Sequence, residues 1–532
     1  MKKMKFLSVL APIVLAVSAL STTGCIKSLG EADTDNLDVT VDTRGVTISM
    51  WTGFGSTITS TLENIIEGFT AKTGIIVEHE SKGGYDNLQN AIELATSTQT
   101  YANVAVGYPD HFAGYINSNI QLRLDGLIKN DHKRAVGKDA EGFDVDADGI
   151  RILDYDDFYD DYKPENESLE FKKDGTGYKL GLPFNKSSEA MCYNATFFNW
   201  AKGQNDLKNS IFVPTTWAEV KSVGIAVKSF FATKGVYGKV LGSDGNAYED
   251  ESKFPSGVTK VYDATKVTSA ADFKLISYDS TSNMFITLVR QFGGTYTEID
   301  KTRTGVGYAA FNDAAYRQKT LDAMAMVRDL DSEGLIGIPA SFGESLYCST
   351  PFKKGLSLLN IGSTAGVSNA ITGGFTTKAA AIPQNGNIPS SKFVISQGTN
   401  LALFNKGSDA EKVAAWKLMV YLSQQVNGEF AARTGYFPTC EAATNSEVYQ
   451  EYLDSFGAGE ILQKECGILN AYTYGDTAKG WTRFVDPGFQ GSSAIRTEVG
   501  NIPGYILLSN DYADDQAILN AVYAKLPDYT RP

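Results

Sequence analysis

The chain has 532 residues, 42% of them hydrophobic and 21% charged, an ordinary globular composition with enough apolar material for a large core. Its formal net charge of −14 excludes a nucleic-acid backbone or an anionic lipid surface as the principal partner, because both call for a basic face. Five cysteines in a chain of this length exclude a disulfide scaffold.

Lys2, Lys3 and Lys5 precede the apolar run Phe6–Leu20. That run is shorter than the roughly 20 residues a membrane span takes, so residues 1–24 read as a signal peptide. At its end, Gly24-Cys25 resembles the lipobox of bacterial lipoproteins, in which the cysteine receives a diacylglyceryl group. Thr22 and Ile26 depart from that pattern, and an ordinary secreted protein with a cysteine at the boundary is the other reading. Acyl chains contribute about 0.8 kcal/mol per buried methylene, so lipidation at Cys25 would hold a soluble body at the membrane face. No second segment is apolar and long enough to span. Residues 25–44 are polar and acidic without hydrophobic periodicity, and read as the lipidated cysteine followed by a flexible tether.

Order begins at Val46–Trp51, an alternating run of strand formers. Ile58, Leu62, Ile65, Ile66 and Phe69 then recur at helical spacing, and Gly74 stands where a helix end takes a left-handed residue. Ile75–Val77 predicts a second strand, Leu88, Ile92 and Ala95 a second helix, and Val104–Val106 a third strand. This alternation predicts a parallel sheet wrapped by helices. The acidic stretch 141–170 reads as a surface insertion. Strand-like runs follow at Lys179–Phe184, Leu356–Ile361 and Phe393–Ile395, and capping boxes open helices at Thr216–Glu219 and Ser408–Glu411.

A parallel sheet binds ligands outside the C-terminal ends of its strands. Trp51, the Gly83-Gly84-Tyr85-Asp86 turn and Tyr108-Pro109-Asp110 fall there, which collects aromatic rings and carboxylates on one edge. Rings stack on the C–H face of a sugar, and carboxylates accept its hydroxyl hydrogens. Asp144, Asp146 and Asp148 with Gly149 match the opening of a calcium loop, but Tyr155 stands where the bidentate glutamate should be. Cys440 and Cys466 are either a disulfide pair or two buried thiols. Catalytic constellations are thin: His79, His111 and His132 lack zinc-hydrolase spacing, and Gly362–Gly366 does not place its serine as a nucleophile elbow does.

Several segments in order resemble the extracellular solute-binding proteins of ABC importers, family 1. They are Ile48–Gly53, Lys82–Asp86, Leu182–Glu189 running on to Cys192-Tyr193-Asn194, Val213–Trp217, Ile361–Gly366, Gln397–Phe404, Ala415-Trp416-Lys417, Thr434–Pro438 and Gly491–Arg496. The resemblance implies a two-lobed α/β fold of the periplasmic-binding type, each lobe a mainly parallel sheet flanked by helices, with a ligand cleft between. It implies lobe one from 45–180 plus 398–438 and lobe two from 181–397 plus 439–532. From its sugar-binding and sn-glycerol-3-phosphate-binding branches it implies ligand contacts at Tyr85, Asp110, Ser187 or Ser188, Gly362 with Ser363, Tyr436 and Arg496, to which the strand-end argument adds Trp51.

The function so implied is capture of a carbohydrate by hinge closure and delivery to a permease, without catalysis or cofactor. The protein would be held by its lipid at the extracellular or periplasmic face of the cell membrane. Glycerol-3-phosphate or a glycerophosphodiester in the same role is the alternative, since Arg496 can grip a phosphate as well as vicinal hydroxyls. A secreted glycan-active enzyme or an adhesin are further rivals.

Overall fold

The computed structural model describes residues 32–171, 176–300, 302–303, 305–387, 392–454, 461–469, 473–474 and 480–531. The signal peptide and Cys25 lie outside the described residues. Among them, no helix is long and apolar enough to cross a membrane.

The first elements follow the sequence pattern closely: β1 (Thr47–Thr52), α1 (Ser56–Thr73), β2 (Ile76–Ser81), α2 (Tyr85–Thr96), β3 (Val104–Gly107) and α3 (Pro109–Asn117). Helix α1 buries Leu62, Ile65, Ile66 and Phe69 and ends on Gly74 at φ 71°, the left-handed cap that glycine adopts without a Cβ penalty. Further on come β4 (Gly181–Ser187), β5 (Glu189–Asn194), α4 (Trp217–Lys234), β6 (Lys274–Tyr278), α5 (Thr281–Gln291), β7 (Ile336–Gly337), β8 (Ser357–Ser363), β9 (Thr377–Ala380), β10 (Gln397–Leu403), α6 (Asp409–Val420), α7 (Asn427–Thr434) and α8 (Ser492–Val499). Both expected capping boxes are present, Thr216 with Glu219 on α4 and Ser408 with Glu411 on α6.

Two five-stranded sheets result, ordered β2-β1-β3-β10-β4 and β7-β6-β8-β5-β9. In each, the first three strands are parallel and the last two pairings antiparallel. Each sheet nucleates its own apolar cluster. Phe69, Val104, Val106, Phe184, Trp416 and Phe430 belong to the first, and Phe231, Ile276, Leu359 and Ile495 to the second.

The chain crosses between lobes at Ser188, where β4 passes into β5, and at Ser396, ahead of β10. The two crossings run side by side, with Gln397 paired to Ser187 and Gly398 to Lys186. At φ 90°, Gly398 packs so tightly on Asn185 that no side chain fits there. Beneath them Lys186, fully buried, donates to Glu165 Oε2 (2.6 Å), the Gly398 carbonyl (3.2 Å) and Asn400 Oδ1 (3.4 Å). The first crossing therefore lies later than the expected 180/181 boundary, because β4 pairs within the first sheet. Cys440 and Ala443 likewise belong to the lobe-one core, beyond the expected 438/439 boundary.

Two expectations change, and one open alternative closes. Residues 32–44 do not run free as a tether: Ala32, Thr34, Val39 and Thr43 are buried against lobe one. The Ala32 carbonyl accepts from the Arg123 amide at 2.9 Å, and Thr34 donates to the Arg123 carbonyl at 2.6 Å. The acidic stretch is built into lobe one rather than laid on its surface, with Ile150, Phe158 and Glu165 buried. Its calcium-loop carboxylates are paired with cations of the chain, and among the described residues no group of three or more His, Cys, Asp or Glu is placed to hold a metal ion. Asp146 takes Arg134 (2.5 Å) and Lys417 (3.1 Å), Asp148 takes Lys417 (3.0 Å), and Asp144 takes Lys138 (3.0 Å). Finally, Cys192, Cys348, Cys440 and Cys466 are all buried free thiols; Cys440 and Cys466 sit in different lobe cores.

Candidate functional site

A cleft of about 1130 Å³ separates the lobes, lined by residues just beyond the C-terminal ends of strands in both sheets. This is where parallel sheets leave room for ligands. The lobes touch at its mouth: Ser493 donates to Gln89 at 3.4 Å, and Gly488 packs directly on the Pro109 backbone.

The lobe-one wall depends on close backbone approach. A Cβ on Gly53 would come within 2.8 Å of Gly84, and Gly83 turns at φ 71°, so β1 and the start of α2 can nest and present Tyr85. Its ring meets Tyr108 edge-on at 5.0 Å, and Tyr108 meets His111 edge-on at 5.5 Å. Tyr436 follows the Gly435 cap of α7 and stacks on Phe430 at 5.9 Å. Burial pushes the Tyr85, Tyr108 and Tyr436 phenols up from their ordinary range, which keeps them neutral hydrogen-bond donors. Asp110 stands in the first turn of α3.

At the hinge floor, the Ser363 hydroxyl donates to that of Ser187 at 3.4 Å, joining the two sheets. Gly362 lies against the Asp279 carboxylate, where a side chain would collide.

The lobe-two wall is a chain of charge. Glu189, almost wholly buried, accepts from Tyr278 at 2.5 Å, Asn283 at 3.2 Å and Gln397 at 3.4 Å. Asn283 in turn accepts from the Arg496 guanidinium. Burial raises Glu189 to about 7, against the pull of its hydrogen bonds and Arg496. Burial likewise lifts Asp279 and Asp486 to about 6, although Cys348 donates its amide to the former and Arg290 and Arg496 lie near the latter. Among the described lining residues five carboxylates face two guanidiniums and no lysine.

These raised values have a sign. A carboxylate whose folded pKa exceeds its unfolded one favours folding most below the unfolded value, and loses that contribution as pH rises through the folded value. The unliganded protein is therefore expected to lose melting temperature from about pH 4 to about pH 7 through Glu189, Asp279 and Asp486. Glu189→Gln should flatten that slope in a fluorimetric melting series; an unchanged slope would remove Glu189 as its source.

Of the expected site residues, Tyr85, Asp110, Ser187, Gly362, Ser363, Tyr436 and Arg496 all line the cleft. Trp51 and Ser188 do not. Strand alternation sends Met50 and Thr52 into the core and turns Trp51 to the other face, where the Lys82 ammonium covers its ring at 3.8 Å. Ser188 is buried in the crossing and donates to the Ile395 carbonyl at 3.0 Å. Sequence reasoning missed Glu189, Asp279, Asp486 and Tyr296. Asp279 follows the end of β6 and Asp486 follows the short strand Trp481–Phe484, so the strand-end rule that served lobe one would have found both in lobe two; Glu189, which opens β5, and Tyr296 carry no such signal.

A family profile described as bacterial extracellular solute-binding protein matches residues 64–456, well over half of the chain. The chain belongs to this family. No curated protein sequence matches the solute-binding protein, but many solved structures share its fold. UgpB from Mycobacterium tuberculosis, solved in complex with glycerophosphocholine, is 15% identical and superimposes with a TM-score of 0.61, covering 90% of this chain and 96% of its own. A solute-binding protein from Agrobacterium radiobacter K84 in complex with ribitol is 15% identical, with a TM-score of 0.60 and coverages of 91% and 99%. The maltose/maltodextrin-binding domain MalE from Bdellovibrio bacteriovorus, bound to maltotriose, is 15% identical, with a TM-score of 0.57 and coverages of 90% and 98%. The solute-binding protein thus has the two-lobed α/β fold that its sequence segments implied.

Proposed function

We propose that this solute-binding protein captures a neutral carbohydrate outside the cell and hands it, unchanged, to the permease of an ABC importer. The observation that carries this reading is the lining of the interlobe cleft, where tyrosine rings alternate with an excess of carboxylates. Ring faces match the C–H faces of sugars, and carboxylates accept paired hydroxyls. The acidic balance opposes a phosphate, since like charges in a poorly solvated cleft repel strongly. Arg496, the group that would favour a phosphate, is already engaged by Asn283 and stands near Glu189 and Asp486.

Export through residues 1–24 and lipidation at Cys25 complete the proposal, keeping the protein at the outer membrane face near its permease. Solute that touches both lobes stabilises the closed arrangement over the open one, and that differential affinity drives the cycle.

Small-angle scattering tests the reading. A series of neutral mono- and oligosaccharides should include at least one that compacts the purified protein, whereas glycerol-3-phosphate and glycerophosphocholine should not. Compaction by the phosphate compounds alone would overturn the carbohydrate assignment.

A further inference from the structure

The mouth of the cleft holds a second group of polar side chains, apart from the Tyr85 and Tyr436 end. His111 comes from lobe one, and Tyr296, Thr297 and Asp486 come from lobe two; all four line the cleft. His111, Tyr296 and Thr297 are each at most 4% exposed, and the Asp486 side chain is 9% exposed. Among the described residues His111 Nδ1, the Tyr296 hydroxyl, the Thr297 hydroxyl and Asp486 Oδ2 have no hydrogen-bond partner. The group is compact. Tyr296 lies within electrostatic reach of Arg496, Asp486 and Asp110, and Gly488, two residues past Asp486, rests on the Pro109 backbone ahead of Asp110 and His111.

Buried polar atoms in folded proteins are almost always paired, and a set left unpaired at one place calls for an occupant. The set fixes the occupant's chemistry. Asp486 Oδ2 only accepts while ionised, the two hydroxyls donate and accept, and the imidazole nitrogen does one or the other. A group with several neutral hydroxyls satisfies all four at once. An ammonium group can only donate, so it would leave the two hydroxyl hydrogens without an acceptor, and it would stand beside the like charge of Arg496. Reach along the cleft points the same way: Tyr85 and His111 are separated by the whole Tyr108 ring. The cavity of about 1130 Å³ also exceeds the 300–1,000 Å³ typical of a pocket that encloses one drug-sized ligand.

We infer that His111, Tyr296, Thr297 and Asp486 form a second sugar subsite, which takes the hydroxyls of a neighbouring ring and makes the preferred solute an oligosaccharide. The inference rests on the carbohydrate reading above. Because the subsite draws on both lobes, an occupant there ties them together at the cleft mouth.

Titration calorimetry with glucose, maltose and maltotriose, and with cellobiose and cellotriose, tests it on the intact secreted domain. The unaltered protein should bind a di- or trisaccharide at least tenfold more tightly than glucose. Asp486→Asn and Tyr296→Phe should each remove tenfold or more from the oligosaccharide affinity and a clearly smaller factor from that for glucose. Thr297→Val, which keeps the shape, should follow in the same direction. Equal losses for every chain length, or no loss in correctly melting variants, would overturn the subsite and leave the carbohydrate reading intact. Binding of no sugar by the unaltered protein would sink both.

Discussion

Lys186→Met should lower the unfolding free energy by about 3–5 kcal/mol, the usual consequence of removing one partner from a buried ion pair. Lys186 is fully buried in the first crossing, and its partner Glu165 is buried with it. Burial pulls the Lys186 pKa down, against the attraction of Glu165. Without the ammonium, Glu165 would keep, among the described residues, only Asn400 (3.2 Å) and Ser396 (3.3 Å) as donors. The double variant Lys186→Met, Glu165→Leu should recover most of the loss, since apolar groups of similar volume replace buried pairs at little net cost. Urea midpoints measure both. A single variant within about 1 kcal/mol of the parent, the scale of one ordinary hydrogen bond, would show the pair to be dispensable.

Arg496→Ala should weaken solute binding by about 100-fold, because each hydrogen bond to a charged group contributes about 1.5–3 kcal/mol. The guanidinium lines the cleft and also bonds Asn283, which holds Glu189. Its removal takes away a donor to the solute and loosens the carboxylate behind it. Calorimetry with whichever sugar compacts the protein reads the change, and a loss below threefold would place Arg496 outside the contact set. Arg496→Lys should restore little, since an ammonium cannot reproduce the planar fork.

Much of lobe one was legible because local rules there agree with the final structure. The 3.6-residue repeat of Leu62, Ile65 and Phe69, the Gly74 cap and the Val104–Val106 run all fold as their pattern dictates. Trp51 failed for a related reason: a strand end was located correctly, but its face depends on register and on what covers it. The acidic stretch failed because charge was taken for exposure, whereas Asp131, Arg134, Asp146 and Lys417 neutralise one another inside. The site was readable where a motif touches backbone geometry, as at Lys82–Asp86. It was unreadable at Glu189, which opens β5 instead of following a strand end, and at Tyr296, which joins Asp110 and Asp486 only once the two lobes meet.

The docking of Ala32, Thr34 and Val39 has a mechanical consequence. Ala32 and Val39 share their core with Phe69 and Trp416, and among the described residues its fully buried members all come from lobe one. A pull from the N-terminal side is therefore received by lobe one. Under the proposed lipid anchor at Cys25, lobe one would be the moored half and lobe two the lever that swings at each capture of solute.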